Sequence, residues 1–440
     1  MYWTELKIVD LSSNSEEEIS TYPTTEHSLF PLEAQQSVRK IIADVRERGD
    51  AALLEHTLRY DNVNLTTSHI KLSEEELESC IAGRPGEQTA EELGAAIDAA
   101  IGRVREFHKR EVYEDWIYRD GFGNRLGRKW IPVEREGIYI PGGKASYPST
   151  LIMSAIPALV AGVREIAVVS PPSSFIPPSV LALTIKKLGG ILDVYRIGGV
   201  QAIAALAFGT NSVKRVDKIV GPGNIYVTLA KKELYGQVDI DMLAGPSEVL
   251  IIADGAVDPK LTAADLLAQA EHDEEARALC ITTSMGHALA VQREVKDLLE
   301  TSKRRSIIEA SLKNRGRIYT VKNMRCALAL ANRVAPEHLE LHTENPDELL
   351  GEIKNAGAIF LGQFSPEALG DYIAGPSHVL PTGGTARFFS PLSTLSFLKF
   401  SSIIEITNRG FGELGKHASV LAEAEGLSSH ARSVHLRKEE

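Results

Sequence analysis

The sequence predicts an α/β protein made of two domains of related construction, each a parallel β-sheet flanked by helices. Its 440 residues exceed what one ordinary hydrophobic core accommodates, so more than one domain is expected. Two stretches, at about 139–250 and about 248–362, alternate short apolar runs with helical ones. Such alternation is typical of βαβ units in a doubly wound sheet.

The elements of both stretches follow from their apolar runs. In the first stretch, four runs predict buried parallel strands at 166–170, 191–194, 218–220 and 249–253. Helical patterns near 150–162, 178–188, 201–208 and 223–234 separate these strands. In the second stretch, the predicted strands include 279–282, 317–321 and 358–361.

Two further segments flank these stretches. From about 33 to 112, apolar residues such as Ala34, Val38 and Ile41 recur at helical spacing, and we expect this segment to pack on the second domain. After about residue 390 the chain becomes a short strand at 403–406 and then helices. This tail is too small to form a core alone, so we expect it to lie on another surface, a partner subunit being one candidate.

Composition and charge exclude several classes of protein. The net charge of −11 argues against nucleic acid as the main partner, because a phosphate backbone requires a basic surface. Cys80, Cys280 and Cys326 are far apart and odd in number, which does not suggest a disulfide framework. The N-terminus lacks the apolar core of a signal peptide, and the longest apolar stretch is broken by Pro157. We therefore expect a cytoplasmic protein from a reducing compartment.

Three clusters of metal-capable and proton-carrying side chains lie in the second half of the chain. Gln269 and His272 stand at i and i+3, so a helix would present both on one face. Asp371 and His378 flank a Gly-Pro bend that can bring them to one point. Imidazole nitrogen and carboxylate or carbonyl oxygen are ligands for zinc and similar ions. The pattern alone leaves His378 and His430 as competing ligands.

The third cluster is the adjacent pair Glu337 and His338, which supplies two groups able to carry protons near neutral pH. Neighbours on a strand point to opposite faces, so both can serve one site only if the strand is just beginning or the chain bends there. A salt-bridged surface pair is the alternative interpretation. A metal site with these groups beside it would have the outline of an active site.

Three glycine-rich turns of the first stretch fall where we expect the carboxyl ends of strands. They are Tyr139-Ile-Pro-Gly-Gly143, Gly198-Gly-Val-Gln201 and Gly221-Pro-Gly-Asn224. Ligands of open parallel sheets bind at the carboxyl ends of strands, and glycine lets the backbone approach them closely. None of the turns is a GxGxxG fingerprint, but together they favour a ligand cleft. Phosphoryl transfer from ATP is not expected because a Walker motif is absent.

Taken together, these segments closely resemble the histidinol dehydrogenase family of zinc- and NAD-dependent enzymes. The resemblance runs from about residue 30 to 436 and includes four further strings: Asp241-Met-Leu-Ala-Gly-Pro-Ser-Glu-Val249, Ala335-Pro-Glu-His-Leu-Glu340, Gly375-Pro-Ser-His-Val-Leu-Pro-Thr382 and Glu425-Gly-Leu-Ser-Ser-His430. It implies NAD-dependent oxidation of L-histidinol through L-histidinal to L-histidine, the end of histidine biosynthesis. Family relatives act on other small alcohols, so a sulfonated diol is the alternative substrate.

The resemblance also implies a role for each site residue. Zinc, one ion per subunit, would be bound by Gln269, His272, Asp371 and the other chain's copy of His430. Glu337 and His338 would be the catalytic bases. The substrate would contact Ser247, His338, His378 and Glu425. NAD would be bound by Tyr139, Gln201 and Asn224.

The family architecture, carried over to this chain, is two incomplete Rossmann-like domains with small terminal extensions. It implies an N-terminal extension at 1–29 and a first domain, with the metal and catalytic residues, at 30–138 and 248–390. The NAD-side domain would be 139–247, and the tail at 391–440 would complete the site of the partner in a homodimer.

The absence of cysteine from every site motif indicates how the aldehyde would be oxidised. An aldehyde has no hydride to give until a nucleophile adds to its carbonyl, and water is then the expected nucleophile. Glu337 would deprotonate that water, and His338 would take the hydroxyl protons. Two rival functions are a zinc hydrolase, which lacks its HExxH helix here, and a two-lobed solute-binding protein.

Overall fold

The computed structural model describes residues 6–23, 30–83, 89–142, 147–189 and 192–438. The strands are β1 (Lys7–Leu11), β2 (Trp116–Arg119), β3 (Arg125–Pro132), β4 (Arg135–Tyr139), β5 (Glu165–Val169), β6 (Leu192–Tyr195), β7 (Lys218–Val220), β8 (Asp239–Ile240), β9 (Glu248–Ala253), β10 (Arg277–Thr282), β11 (Arg317–Val321), β12 (His338–His342), β13 (Ala358–Leu361) and β14 (Leu398–Glu405).

The helices surround these strands on both sides. They are α1 (Glu16–Ser20), α2 (Leu32–Arg48), α3 (Asp50–Asp61), α4 (Glu74–Ile81), α5 (Ala90–His108), α6 (Pro148–Ala161), α7 (Val180–Leu188), α8 (Gly199–Phe208), α9 (Ile225–Leu234), α10 (Pro259–Ala270), α11 (Met285–Leu299), α12 (Arg305–Asn314), α13 (Met324–Val334), α14 (Glu367–Tyr372), α15 (Asn408–Ala424) and α16 (Ser428–His435).

Two parallel sheets share one strand order, which confirms the predicted fold class. The five-stranded sheet runs β6-β5-β4-β7-β8. The six-stranded sheet runs β1-β11-β10-β9-β12-β13. Counted from the first strand of each repeat, β4 and β9, both have the order 3-2-1-4-5 that begins a Rossmann fold, and β1 is added at one edge. Strand β9 is buried along its whole length, as expected of a parallel strand covered on both faces.

The first helical segment packs on a different sheet from the one predicted. Helix α2 shares a core with α8, and α5 shares a core with α6, so both cover the five-stranded sheet and not the six-stranded one. The reason lies in α8, which is buried around its whole circumference from Val200 to Ala207 and is apolar there except at Gln201. Such a helix needs a further layer outside it, and α2 supplies that layer. The predicted domain boundaries otherwise stay a prediction.

The first part of the C-terminal tail packs on its own chain through strand β14. Strand β14 pairs antiparallel with β3, and β3 with β2, in a three-stranded sheet that the sequence analysis did not anticipate. The hydroxyl of Thr407 donates to the Phe122 carbonyl at 2.9 Å, which fixes the start of α15. Helices α15 and α16 then pack mainly on each other. They leave apolar side chains exposed, among them Leu414, Val420, Leu421 and Leu427.

No helix in the described part of the chain is both long enough and apolar enough to cross a bilayer.

Candidate active site

The predicted base pair Glu337 and His338 lies where strands β9 and β12 begin. The backbone N–H of Glu248 donates to Oε2 of Glu337 at 2.9 Å, and Nδ1 of His338 donates to the Glu248 carbonyl at 3.1 Å. His338 is the first residue of β12, and Ala335 just before it adopts a left-handed conformation with φ of 52°. The chain therefore bends at the strand start, which is the condition under which both side chains can face one site.

Carboxylates surround the imidazole of His338. Its Nε2 lies 3.7 Å from Oδ1 of Asp371, and its Nδ1 lies 3.8 Å from Oε2 of Glu337 and 3.9 Å from Oε2 of Glu367. Burial raises the pKa of Glu337 to about 8. Burial alone would lower the pKa of His338, but the three carboxylates outweigh it and raise that pKa well above its ordinary value. Proton transfer near neutral pH is thus within reach of this pair.

Gln269 is buried at the end of α10 in a manner that suits a metal ligand. Its side chain has no solvent exposure, and neither Oε1 nor Nε2 has a hydrogen-bond partner in the described structure. An unpaired buried amide costs about 1–3 kcal/mol, so native proteins rarely keep one without a ligand. The donor set offered by Gln269, His272 and Asp371 therefore fits a zinc ion.

His272 follows Gln269 closely in the chain. Helix α10 ends at Ala270, so His272 stands just beyond the helix and not on its face as predicted. Its backbone N–H donates to the Gln269 carbonyl at 3.3 Å. Burial lowers the pKa of His272, and the charge of Asp371 opposes that shift.

The Gly-Pro bend joins Asp371 and His378 as the spacing predicted. Nδ1 of His378 donates to the backbone carbonyl of Asp371 at 2.8 Å. Gly375 has φ of 126°, and a Cβ there would lie 3.3 Å from the carbonyl of Arg103, so glycine is required. Ser247 directly precedes β9 at the same end of the sheet.

Glu425 and His430 do not contact the predicted metal ligands of their own chain. Glu425 follows the last residue of α15, His430 lies in α16, and both are exposed. In the described ranges, neither residue forms a hydrogen bond or ion pair with Gln269, His272 or Asp371.

The predicted cofactor residues lie at the carboxyl ends of the five-stranded sheet. Tyr139 ends β4, and its hydroxyl accepts a hydrogen bond from the Gly199 N–H at 3.3 Å. Gln201 is buried in the first turn of α8, where its Oε1 would be 2.9 Å from a Cβ on Gly199. Asn224 caps α9 by accepting from the N–H groups of Tyr226 and Val227. Gly143 of the first turn lies outside the described residues.

These turns meet at one edge because of the strand order. Strand β4 is central, with β5 on one side and β7 on the other, so the chain reverses direction of winding there. A Cβ on Gly221 would lie 2.2 Å from the Tyr139 carbonyl, which brings the turns after β4 and β7 into contact. A crevice at such a switch point is where doubly wound sheets bind dinucleotides.

Comparison with known proteins decides the family. A family model described as histidinol dehydrogenase matches residues 26–438. The chain belongs to the histidinol dehydrogenase family. It is 49% identical over 408 residues to the histidinol dehydrogenase of Syntrophotalea carbinolica, covering 92% of this chain and 93% of that relative. It is 50% identical over 407 residues to the enzyme of Geobacter sulfurreducens, covering 92% and 93%.

A solved structure supports the same assignment. The crystal structure of histidinol dehydrogenase from Elizabethkingia anophelis has a TM-score of 0.90 and 34% identity, covering 100% of this chain and 99% of that one. As a member of a dehydrogenase family, the chain is an oxidoreductase, and its predicted α/β fold is that of a solved histidinol dehydrogenase.

Several buried acids in this histidinol dehydrogenase family member escaped the sequence analysis. Glu248 provides the backbone contacts of Glu337 and His338, and Glu367 at the start of α14 lies against the His338 ring. A second group, Asp265, Glu340 and His342, lies farther along β12 and α10. The signal for Glu340 and His342 was their alternation with His338, since residues i, i+2 and i+4 of a strand share a face.

Proposed function

We propose that this chain oxidises L-histidinol through L-histidinal to L-histidine, with two molecules of NAD accepting the four electrons. The observation that carries the proposal is the arrangement of the buried Glu337–His338 pair against Asp371, with the unpaired amide of Gln269 at the end of α10. This arrangement combines two proton carriers with a set of metal donors.

Gln269, His272 and Asp371 would bind zinc together with the partner subunit's His430. When bound, zinc would act mainly as a template for the imidazole and amino nitrogens of the substrate. Ser247, His378 and Glu425 would contact the rest of the substrate. Tyr139, Gln201 and Asn224 would line the NAD crevice at the carboxyl ends of β4, β6 and β7, where the hydride acceptor would bind.

His338 is oriented to take the hydroxyl proton of the alcohol. Because its Nδ1 donates to the Glu248 carbonyl, loss of a proton from the ring would leave the lone pair on Nε2. Nε2 has no hydrogen-bond partner among the described residues and is directed toward Asp371. His338 would therefore accept a proton at Nε2, first from the alcohol and later from the hydrated aldehyde.

Glu337 would deprotonate the water that adds to the aldehyde. Burial raises its pKa to about 8, so its carboxylate is a stronger base than an ordinary glutamate. The three cysteines support a water route over a thiol route, because all are buried and free. Free thiols are also compatible with the reducing cytoplasm, which we propose as the compartment.

We further propose a homodimer in which each tail completes the active site of the other chain. The exposed apolar residues of α15 and α16 need a covering surface, and Glu425 and His430 lie on this same module. In a two-fold dimer, the exchange would be reciprocal.

The direct test is the stoichiometry of the reaction catalysed by the full chain in the presence of zinc. Limiting histidinol with excess NAD should give two NADH and one histidine per histidinol consumed. One NADH per histidinol, with histidinal released, would contradict the four-electron proposal. Turnover of a sulfonated diol with none of histidinol would identify the alternative substrate instead.

A further inference from the structure

A buried ion pair binds both backbone polar groups of Gly221, in the glycine-rich turn after β7. The N–H of Gly221 donates to Oδ2 of Asp241 at 2.8 Å, and Nζ of Lys231 donates to the Gly221 carbonyl at 3.0 Å. Lys231 also forms an ion pair with Oδ1 of Asp241. The two side chains are 3% and 1% exposed. One residue of the turn at 221–224 is therefore held through both its donor and its acceptor.

The position of this ion pair indicates a role beyond stability. Taking two charges out of water opposes folding, and well-packed apolar side chains in their place are often as stable. Apolar side chains could not satisfy the N–H and the carbonyl of Gly221, which is buried. Gly221 has φ of 105°, and a Cβ on it would lie 2.2 Å from the Tyr139 carbonyl. The ion pair therefore fixes how the turn after β7 meets the turn after β4.

The same ion pair connects this turn to the segment that leads to Ser247. Residues 241–247 pass from β8 to β9, and Asp241 is the first of them. Asp241 contacts helix α9 through the ion pair. The hydroxyl of Thr228, also in α9, donates to the Ala244 carbonyl at 3.2 Å. Helix α9, which begins directly after the turn, thus binds the segment at two points.

We propose that Lys231 and Asp241 are positioning residues, which fix the NAD-facing turn against the segment that ends at Ser247. This inference rests on the proposed function, in which Asn224 lines the NAD crevice and Ser247 contacts the substrate. Asn224 ends the turn that contains Gly221, so loss of the ion pair would shift a cofactor contact. The same loss would release the start of the segment and shift Ser247. Cofactor and substrate binding would then depend on one buried contact.

The first test is the steady-state kinetics of the zinc-loaded full chain, with NAD and histidinol varied separately. Lys231→Met keeps a similar side-chain length but removes the charged donor. It should raise the KM for NAD about tenfold, the loss expected from one charge-assisted hydrogen bond. The KM for histidinol should rise in the same direction. The effect should fall on these KM values more than on kcat, because Lys231 is not one of the proposed bases.

Lys218→Met is the matched control. Lys218 begins β7, and its Nζ lies 2.6 Å from Oδ2 of Asp239, so this ion pair is at the strand end opposite to Gly221. The control should lose stability as Lys231→Met does, but both KM values should stay at the wild-type level. A rise in the KM for NAD as large as that of Lys231→Met would mean that general destabilisation causes the effect, and would overturn the proposal.

A double variant, Lys231→Met with Asp241→Asn, separates positioning from folding. It leaves no unpaired buried charge, so it should unfold at a higher temperature than Lys231→Met alone. It should nevertheless keep the raised KM for NAD. A wild-type KM for NAD in both variants, in preparations that oxidise histidinol, would overturn this inference and leave the proposed function standing. Absence of NAD reduction by the wild-type chain would instead contradict the proposed function.

The second test uses wild type, so it does not depend on the folding of any variant. Hydrogen–deuterium exchange is measured on the zinc-loaded chain with and without NAD. The N–H of Met242 donates to Oδ1 of Asp241 at 2.6 Å, so the segment should respond together with the turn. NAD should slow exchange in peptides covering 221–224 and in peptides covering 241–247. Slowing confined to the turn would overturn the link to Ser247.

Discussion

Nδ1 of His338 donates a hydrogen bond to the backbone carbonyl of Glu248 at 3.1 Å. This one contact ties the first residue of β12 to the first residue of β9 and sets which imidazole nitrogen can accept a proton. Both residues begin their strands, so the candidate site lies at the amino ends of β9 and β12. In the five-stranded sheet, the glycine-rich turns lie at the carboxyl ends of the strands. The two related domains therefore place their candidate site residues at opposite ends of their strands.

Replacing Gln269 by methionine should separate metal binding from folding. Methionine fills a similar volume without the unpaired amide, so the metal-free variant should be as stable as metal-free wild type or gain up to about 1–3 kcal/mol. Added zinc should stabilise the variant less than wild type, and turnover should be lost. Thermal unfolding with and without zinc measures both effects. Strong destabilisation of the metal-free variant would mean that the amide has protein partners.

Turnover should not depend on any cysteine. Cys280 is fully buried in β10, and burial raises its pKa to about 12, so its thiolate is not accessible as a nucleophile. Replacing Cys80, Cys280 and Cys326 by alanine should cost about 1 kcal/mol of stability per residue and leave both half-reactions intact. The native protein should also resist alkylation by iodoacetamide. Loss of only the aldehyde-to-acid step in one variant would favour a thiol route.

Two inactive variants should restore activity in a mixed dimer. Asp371→Ala and His430→Ala are unfolded together in equal amounts and refolded, so that random assembly makes half the dimers mixed. If His430 serves the partner subunit, each mixed dimer has one intact site, and activity should return to about one quarter of wild type. Either variant refolded alone is the control. Mixed dimers that form without recovering activity would rule out a shared site.

The stability of the five-stranded sheet should respond to pH through Glu136. This side chain on β4 is fully buried, neither carboxylate oxygen has a hydrogen-bond partner in the described ranges, and burial raises its pKa well above 4.5. Because the folded state holds the proton more tightly, its contribution is present below about pH 4.5 and is lost as the pH rises toward the folded pKa.

Glu136→Gln removes this titration. From pH 5 to pH 8 the variant should therefore gain stability relative to wild type by up to about 1.4 kcal/mol per pH unit. Denaturant unfolding at several pH values measures the difference. Glu165→Gln, at a half-exposed residue on β5, is the control. A constant difference across this range would mean that Glu136 is ionised in the folded protein.

The sequence predicted the parallel sheets well because their strands are short apolar runs between helical patterns. The strands at 218–220, 317–321 and 358–361 have the predicted bounds. Strands β2 and β3 were not anticipated, because β2 is exposed along its whole length and β3 is mostly half-buried, so neither has the pattern of a buried strand. The packing of α2 could not be read from its own periodicity, since that pattern shows which face is buried and not which surface covers it.

The sequence predicted those residues of the candidate site whose side-chain type alone indicates acid–base or metal-binding chemistry. Glu337, His338 and Asp371 carry groups whose chemistry is visible in the sequence, and the bend at Gly375 brings His378 to Asp371 as expected. Gln269 gave no such signal, because its value as a ligand depends on burial without a partner. Glu367 was missed for a related reason, since its contact with His338 joins segments distant in sequence.

The most direct test of the account is the effect of Glu337→Gln on the two half-reactions, measured separately with histidinol and with supplied histidinal. The change keeps the shape and the contact with the Glu248 N–H but removes the base. Oxidation of histidinal should fall by roughly 10²–10⁴, oxidation of histidinol to histidinal should change far less, and exposed Glu348→Gln should leave both unchanged. An equal loss in both half-reactions would contradict the assignment of Glu337 as the base that activates water.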